Sequence, residues 1–210
     1  MFAGHYTAAF VAKRASPRIP LWVLLLAAQF VDVLFVLAIL TGVEHARLDP
    51  SLASNPLDLY DMPWTHSLLA AIVWAGVAFT AARRWLSLAT RDAALVAAVV
   101  LSHWFLDLVV HRPDLTIAGG NAKLGLALWN HPAASWLLEV VLVAAAARFA
   151  LPSFPTGAPR RRFAWLAAGL IVLQTESAVD PLPPSITATV LSTLTVYVLV
   201  TLTGRWVESR

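Results

Sequence analysis

Six long apolar runs, divided by short polar stretches, set the pattern of this chain. They fall at about 20–42, 66–82, 93–111, 134–150, 163–179 and 185–203, each near the ~20 residues a helix needs to cross a bilayer. The pattern predicts an all-α, polytopic membrane helix bundle with about six transmembrane helices, because a helix satisfies its own backbone groups in lipid. Strand-like alternation of the membrane-barrel type is not visible in the sequence. Ahead of the first run, MFAGHYTAAFVAK is apolar but too short to span. Pro17 and Pro20 then turn the chain into the first long helix. This N-terminal piece is expected to be a short helix that either lies on the surface or dips in as a re-entrant segment. With no internal repeat or low-complexity tract, residues 1–210 are expected to form a single integral membrane domain.

Composition agrees with the pattern. The chain is 59% hydrophobic and 13% charged, with a mean hydropathy of +0.72, far from a soluble average. The basic residues sit between apolar runs rather than along one face, so the pI near 9.8 does not imply a nucleic-acid partner. They cluster in every second connection: Lys13, Arg14 and Arg18; Arg83, Arg84 and Arg91; Arg160, Arg161 and Arg162; Arg205 and Arg210. The connection 43–65 has only Arg47 among acids. That asymmetry predicts both termini on the cytoplasmic side, with Arg160–Arg162 as a topology anchor. The chain has no cysteine, which excludes disulfides and thiolate metal sites.

Against this background, LSHWFLDLVVH (101–111) is out of place. His103, Asp107 and His111 recur every fourth residue on an apolar helix, and ionisable groups inside a membrane are costly and usually face an interior or a cavity. Residues four apart share a helix face, so His103 and Asp107 can reach one centre, while His111 has drifted toward a cavity rim. Asp32, twelve residues past Pro20, and His103, twelve past Arg91, both lie roughly 18 Å from the basic side. His66 opens the second span from the other side, with Thr65 as its expected N-cap. Glu139 lies several residues into the fourth span from that side, and His5 reaches about 12 Å deep if the N-terminal piece dips in. Taken singly, each has a bland reading: His-x-x-x-Asp as a hydrogen-bonded structural pair, Asp32 as a helix–helix hydrogen bond or proton relay, His5 as a surface histidine. Agreement of depth and side is what makes them a set.

Imidazole and carboxylate together suit Zn, Mn or Fe. Three histidines and two aspartates exceed one tetrahedral shell, which leaves open a five-coordinate ion or two ions bridged by a carboxylate. Such a centre lowers the pKa of bound water toward about 7 and polarises a phosphoryl or carbonyl oxygen, the chemistry of metal-assisted hydrolysis.

The motifs Gly4-His5, Asp32, Trp64-Thr65-His66-Ser67 and Ser102-His103-x-x-x-Asp107 occur in that order over roughly residues 4–114. In that order they resemble the membrane-bound, metal-dependent hydrolases, also known as LexA-binding inner-membrane-associated hydrolases. The resemblance implies an inner-membrane location, a metal-site half within 1–114, and His5, Asp32, His66, His103 and Asp107 as ligands of a divalent metal, zinc first. It is more distantly similar to zinc-dependent phospholipase C. Where the family often has His-Arg-x-x-Thr-His-Ser, this chain has Asp61-Met62-Pro63-Trp64-Thr65-His66-Ser67. Asp61 then stands in the first histidine's place as oxygen ligand or base, and the arginine is missing.

The leading expectation is a membrane-embedded hydrolase acting on a lipid-like or phosphorylated small molecule, with Asp61, His111 or Glu139 as general acid, base or outer-shell groups. The main alternative is a transporter or ion-conducting protein using the same Asp/His cluster; against it, no broken-helix pair is visible in the sequence. Haem ligation by His66 and His103 is a third reading, a scaffold role a fourth. Trp104 and Trp129 are candidate cavity walls. The sixth span carries no charge and reads as a packing or oligomer surface.

Overall fold

The computed structural model describes residues 1–178 and 183–209. Within them the chain is mostly helical: α1 (Tyr6–Ala15), α2 (Leu21–Ala28), α3 (Phe30–Thr41), α4 (Leu68–Arg84), α5 (Thr90–Val110), α6 (Pro132–Ala150), α7 (Ala158–Ser177) and α8 (Ile186–Glu208). Three of these are long and apolar enough to cross a membrane, namely α5, α6 with its short extension to Ser153, and α8. The count is four if α2 and α3 are one bent span. The other two expected spans are also helices, but α4 has only 17 residues and α7 opens on Arg160, Arg161 and Arg162.

Three features depart from the sequence reading. The first span is broken: α2 and α3 meet at Gln29 with a bend of 51°. No proline or glycine causes the bend. The Gln29 N–H closes a tight turn onto Leu26 O, its side chain donates to Phe2 O at 3.0 Å, and the Ala28 carbonyl accepts from His103 Nδ1. Side-chain insertion of this kind is a recognised origin of sharp kinks. The second departure is a small antiparallel sheet between α3 and α4, β1 (His45–Leu48) with β2 (Leu57–Asp61), which pairs His45 with Asp61 and Arg47 with Asp58. The third is that helix α4 starts later than expected. Ser67, not Thr65, caps it by accepting from the Ala70 N–H at 3.1 Å, so His66 precedes the helix rather than sitting in its first turn.

The N-terminal piece is neither surface-bound nor loose. Ala3, His5, Tyr6, Ala9 and Phe10 are buried in the main core, and α1 packs between α6, α2 and α5. The main core is built chiefly from α1, α2, α5, α6 and α7, with Phe163 stacked on Phe154 and met edge-on by Phe10 at its basic end. A smaller apolar cluster of Phe35, Leu59, Met62, Trp104, Leu115 and Trp129 encloses the opposite end. The polar cluster lies where these two cores meet.

A candidate metal centre at the meeting of five segments

Each residue of the cluster arrives by a local device. Asp32 sits in the first turn of α3, so the bend at Gln29 creates a helix N-terminus, which favours a carboxylate, at the cluster. His103 and Asp107 are successive-turn neighbours on α5. His111 is the first residue beyond α5 and adopts an extended conformation, two residues before Pro113. Leaving the helix there lets its ring fold back until Nε2 lies 3.3 Å from Asp107 Oδ1. Carbonyls at the end of α5 are taken up by the returning chain, with the Leu126 N–H on Leu108 O and the Ala127 N–H on His111 O. Gly125 permits this close approach, since a Cβ there would meet Arg112 O at 2.2 Å.

His5 is delivered by the N-terminal segment, whose backbone donors find acceptors in an apolar interior that holds few. Glu139 Oε2 accepts from the Phe2 and Gly4 N–H groups at 2.9 and 3.0 Å, and Gln174 Oε1 accepts from Ala3 at 3.2 Å. The Met1 amino group reaches Asp107 Oδ1 at 2.6 Å. His5 then stacks on His103 with ring centroids 3.7 Å apart, its Nε2 3.1 Å from Asp107 Oδ1.

Ligand-type atoms thus converge on both oxygens of Asp107. On the Oδ2 side, His103 Nε2 is at 3.0 Å and His66 Nε2 at 3.7 Å, and these nitrogens lie 3.5 and 3.3 Å from Asp32 Oδ1. On the Oδ1 side are His5 and His111. Two ligands bound to one ion at about 2.0–2.2 Å sit roughly 3–3.5 Å apart, the spacing seen here. Two triads, His5–His103–Asp107 and Asp32–His66–His103, each place one ligand atom per residue within 4.8 Å of the others. Asp32 is 15% exposed; the other four ligand candidates are 4% exposed or less.

Proton placement makes the cluster informative. The His103 Nδ1 faces Ala28 O at 3.0 Å, and a carbonyl only accepts, so Nδ1 carries the proton. The His111 Nδ1 likewise donates to Asp114 Oδ1 at 2.8 Å. The Thr65 hydroxyl spends its one proton on Glu44 Oε2 at 2.6 Å and therefore accepts from His66 Nδ1 at 2.7 Å. With Nδ1 taken up in this way, each neutral ring turns its Nε2 toward a carboxylate, His66 and His103 toward Asp32 and Asp107 and His111 toward Asp107, as a metal ligand would. His5 Nε2, His103 Nε2 and Asp107 Oδ2 are buried without a hydrogen bond. Buried polar atoms are rarely left orphaned, and the Met1 amino group serves Asp107 Oδ1 but not His103 Nε2 and Asp107 Oδ2 on the other side. The donor set therefore fits a divalent metal ion. It does not fit a haem: His66 and His103 Nε2 approach the same Asp32 oxygen, which leaves no room for a macrocycle between them.

The remaining expected residues fall as follows. Glu139 is buried at the cavity edge and holds the N-terminal backbone. His111 lines the cavity, its ring tilted against Trp129 with centroids 4.1 Å apart. Trp104 packs in the smaller core and donates to His66 O. Asp61 is not brought to the cluster. Its carboxylate is about half exposed and pairs with His45 across the sheet, because the strand turns it toward solvent.

Several participants had no sequence signal of their own. Tyr197 on α8 donates to Asp32 Oδ2 at 2.8 Å and so orients its other oxygen toward the histidines. The sixth span, read as a packing surface, therefore reaches the cluster. Glu44 is 1% exposed and also accepts from the Trp64 and Thr65 N–H groups. Gln29 and Gln174 hold the N-terminal segment. Each is a single polar residue without a repeat or motif around it.

No family model, no curated protein and no solved structure matches this chain.

Proposed function

We propose that this protein is a membrane-embedded, metal-dependent hydrolase that cleaves an ester or phosphodiester bond in a lipid-like or phosphorylated substrate. The observation that carries the reading is the set of three Nδ1-anchored histidines whose Nε2 atoms face Asp32 and Asp107 beside a cavity of about 630 Å³. The resemblance of the ordered motifs from Gly4-His5 to Asp107 to the membrane-bound metal-dependent hydrolases points the same way. Asp32, His66, His103 and Asp107 Oδ2 would hold the first ion, zinc by donor type; His5 on the Oδ1 side would take part in a second. A divalent ion there supplies Lewis acidity toward the scissile carbonyl or phosphoryl oxygen and acidifies water. Asp32 is oriented for this by Tyr197, and His111 by Asp114. His111, on the cavity wall, is the group we assign to carry a proton to or from the reacting atoms. Glu139 we assign to positioning His5, and Asp61 receives no role. The same reading has all six long apolar segments crossing an inner membrane, both termini cytoplasmic, with α4 and α7 completing a bundle anchored by α5, α6 and α8.

Metal analysis of the purified protein tests this directly. One or two equivalents of zinc are expected, and His103→Ala should strip most of it while the protein still elutes as a folded particle. Trace metal that His103→Ala leaves unchanged would sink the proposal.

The break at Gln29 specifically favours the alternative. A discontinuous helix with a carboxylate in the first turn of its second half is a familiar ion-transit arrangement. Under that reading, proteoliposomes carry a metal or proton flux that Asp32→Asn abolishes. The hydrolase reading expects no such flux.

A further inference from the structure

Two openings follow one another along the seam between α3 and α8. The larger is the 630 Å³ cavity, walled by Asp32, Phe35 and Val36 on α3 and by Val190, Val196 and Tyr197 on α8. The smaller, about 140 Å³, continues the seam and is bounded by Leu26, Val33, Leu194, Val198 and Leu202. Tyr197 lines both, and its hydroxyl is the one bonded to Asp32. A single side chain therefore separates the ligand cluster from a groove made almost wholly of hydrocarbon. That groove opens outward, where Val198 and Leu202 are about half exposed, on a helix apolar enough to span a membrane.

The charge of the cavity is one-sided. Among its described lining residues there is no lysine or arginine and the fixed cation is the Met1 amino group, held by Asp107, while Asp32, Glu139 and Glu176 are carboxylates. One divalent ion and the Met1 amino group together match Asp32, Asp107 and Glu139, so Glu176 remains as surplus negative charge. Like charge placed against that surface is costly. At the far end Trp136 also lines the cavity and donates to Thr175, the residue before Glu176. An indole beside a carboxylate suits an ammonium group.

We propose that the α3–α8 seam binds a membrane amphiphile that bears an ammonium headgroup and no net negative charge. Its hydrocarbon chain lies in the groove beyond Tyr197, its ester at Asp32, and its headgroup in the wide cavity toward Trp136 and Glu176. Placing the ester rests on the hydrolase reading above; the chain and headgroup positions do not. Lipid is as apolar as the groove, so seating the chain there gains little by itself. The headgroup supplies the preference.

Full-length protein in nanodiscs of equal phosphatidylethanolamine and phosphatidylglycerol tests it, each lipid in turn carrying a diazirine at the acyl terminus. Photolysis and peptide mapping should show the ethanolamine probe labelling Val33 and Leu194 several-fold above the outward-facing Leu37 and Leu199. The glycerol probe should label the seam less. Leu194→Trp, which fills the groove, should remove labelling at Val33 and spare Leu37 and Leu199. Even labelling of all four positions in the wild-type protein, which reports annular lipid only, overturns the seam site. Equal or stronger seam labelling by the glycerol probe overturns the headgroup assignment. Metal content measured on the same sample separates the two readings: metal with even labelling defeats the seam alone, and seam labelling without metal defeats the hydrolase alone.

Discussion

The Thr65 hydroxyl has one proton, and it goes to Glu44; that fact sets the tautomer of His66. The tautomer in turn decides whether His66 presents a lone pair or an N–H to the cluster. Outer-shell partners of this kind are typically worth about 10–100-fold in metal affinity. Thr65→Val keeps the shape, removes the relay and leaves Glu44 buried with one partner fewer. Zinc affinity, read by competition with a chromophoric chelator, should fall by about that factor, whereas the same measurement on Ser51→Ala, in an exposed turn, should not move. Unchanged affinity in Thr65→Val would mean that the hydroxyl does not set the ring. From sequence, Thr65 was legible as a helix cap and as a member of the Thr-His-Ser motif but not as a partner of Glu44, because both are local patterns and Glu44 lies 21 residues away. Gly4 shows the same limit. The chain folds back on itself there, and a Cβ would meet Met1 Sδ at 2.0 Å and Glu139 Cγ at 3.4 Å.

At the scale of elements, α1 is a short helix inserted between α2, α5 and α6, and both its ends are pinned. The cluster end is held by Glu139, Gln174 and Gln29. At the other end Lys13 is buried at 3% exposure and donates to Pro17 O, Ile19 O and Glu208 Oε1, while Glu208 Oε2 accepts from the Leu21 N–H. The last turn of α8 thus latches the turn between α1 and α2. Lys13→Met should cost about 1–3 kcal/mol, less than a fully buried pair, since the Glu208 side chain is 28% exposed. Thermal unfolding in detergent reads this, and a loss no larger than that of Arg14→Met would show that the latch carries no stability. The helices themselves were legible as apolar runs: each long run in the sequence contains a helix whose bounds lie within a few residues of it. The break in the first was not, because Gln29 bends the chain through partners on the N-terminal segment and α5 rather than through proline or glycine.

At the scale of the whole molecule, the cluster ties together segments from nearly the full length of the chain: the N-terminus, α3, the approach to α4, α5, and Tyr197 on α8. An ion that binds only this assembled arrangement stabilises the fold by mass action, about 4 kcal/mol at a thousandfold excess over Kd. Chelation should therefore lower the melting temperature of the wild-type protein by several degrees and leave His103→Ala unmoved. An equal shift in both proteins, or none in either, would show that no ion is linked to folding through this cluster. By itself the sequence determined the helical, membrane-compatible character, because hydrophobic run length and period are local quantities. It also singled out Asp32, His66, His103 and Asp107, because ionisable groups at one depth of apolar segments are expensive wherever they point, and the resemblance of the ordered motifs added His5. Only the tertiary structure decided which oxygen of Asp107 meets which histidine, where each ring proton goes, and that Asp61 faces solvent while Tyr197 faces the cluster. Those outcomes depend on side chains dozens of residues apart meeting at hydrogen-bond distance, and no periodicity along a single chain encodes such meetings.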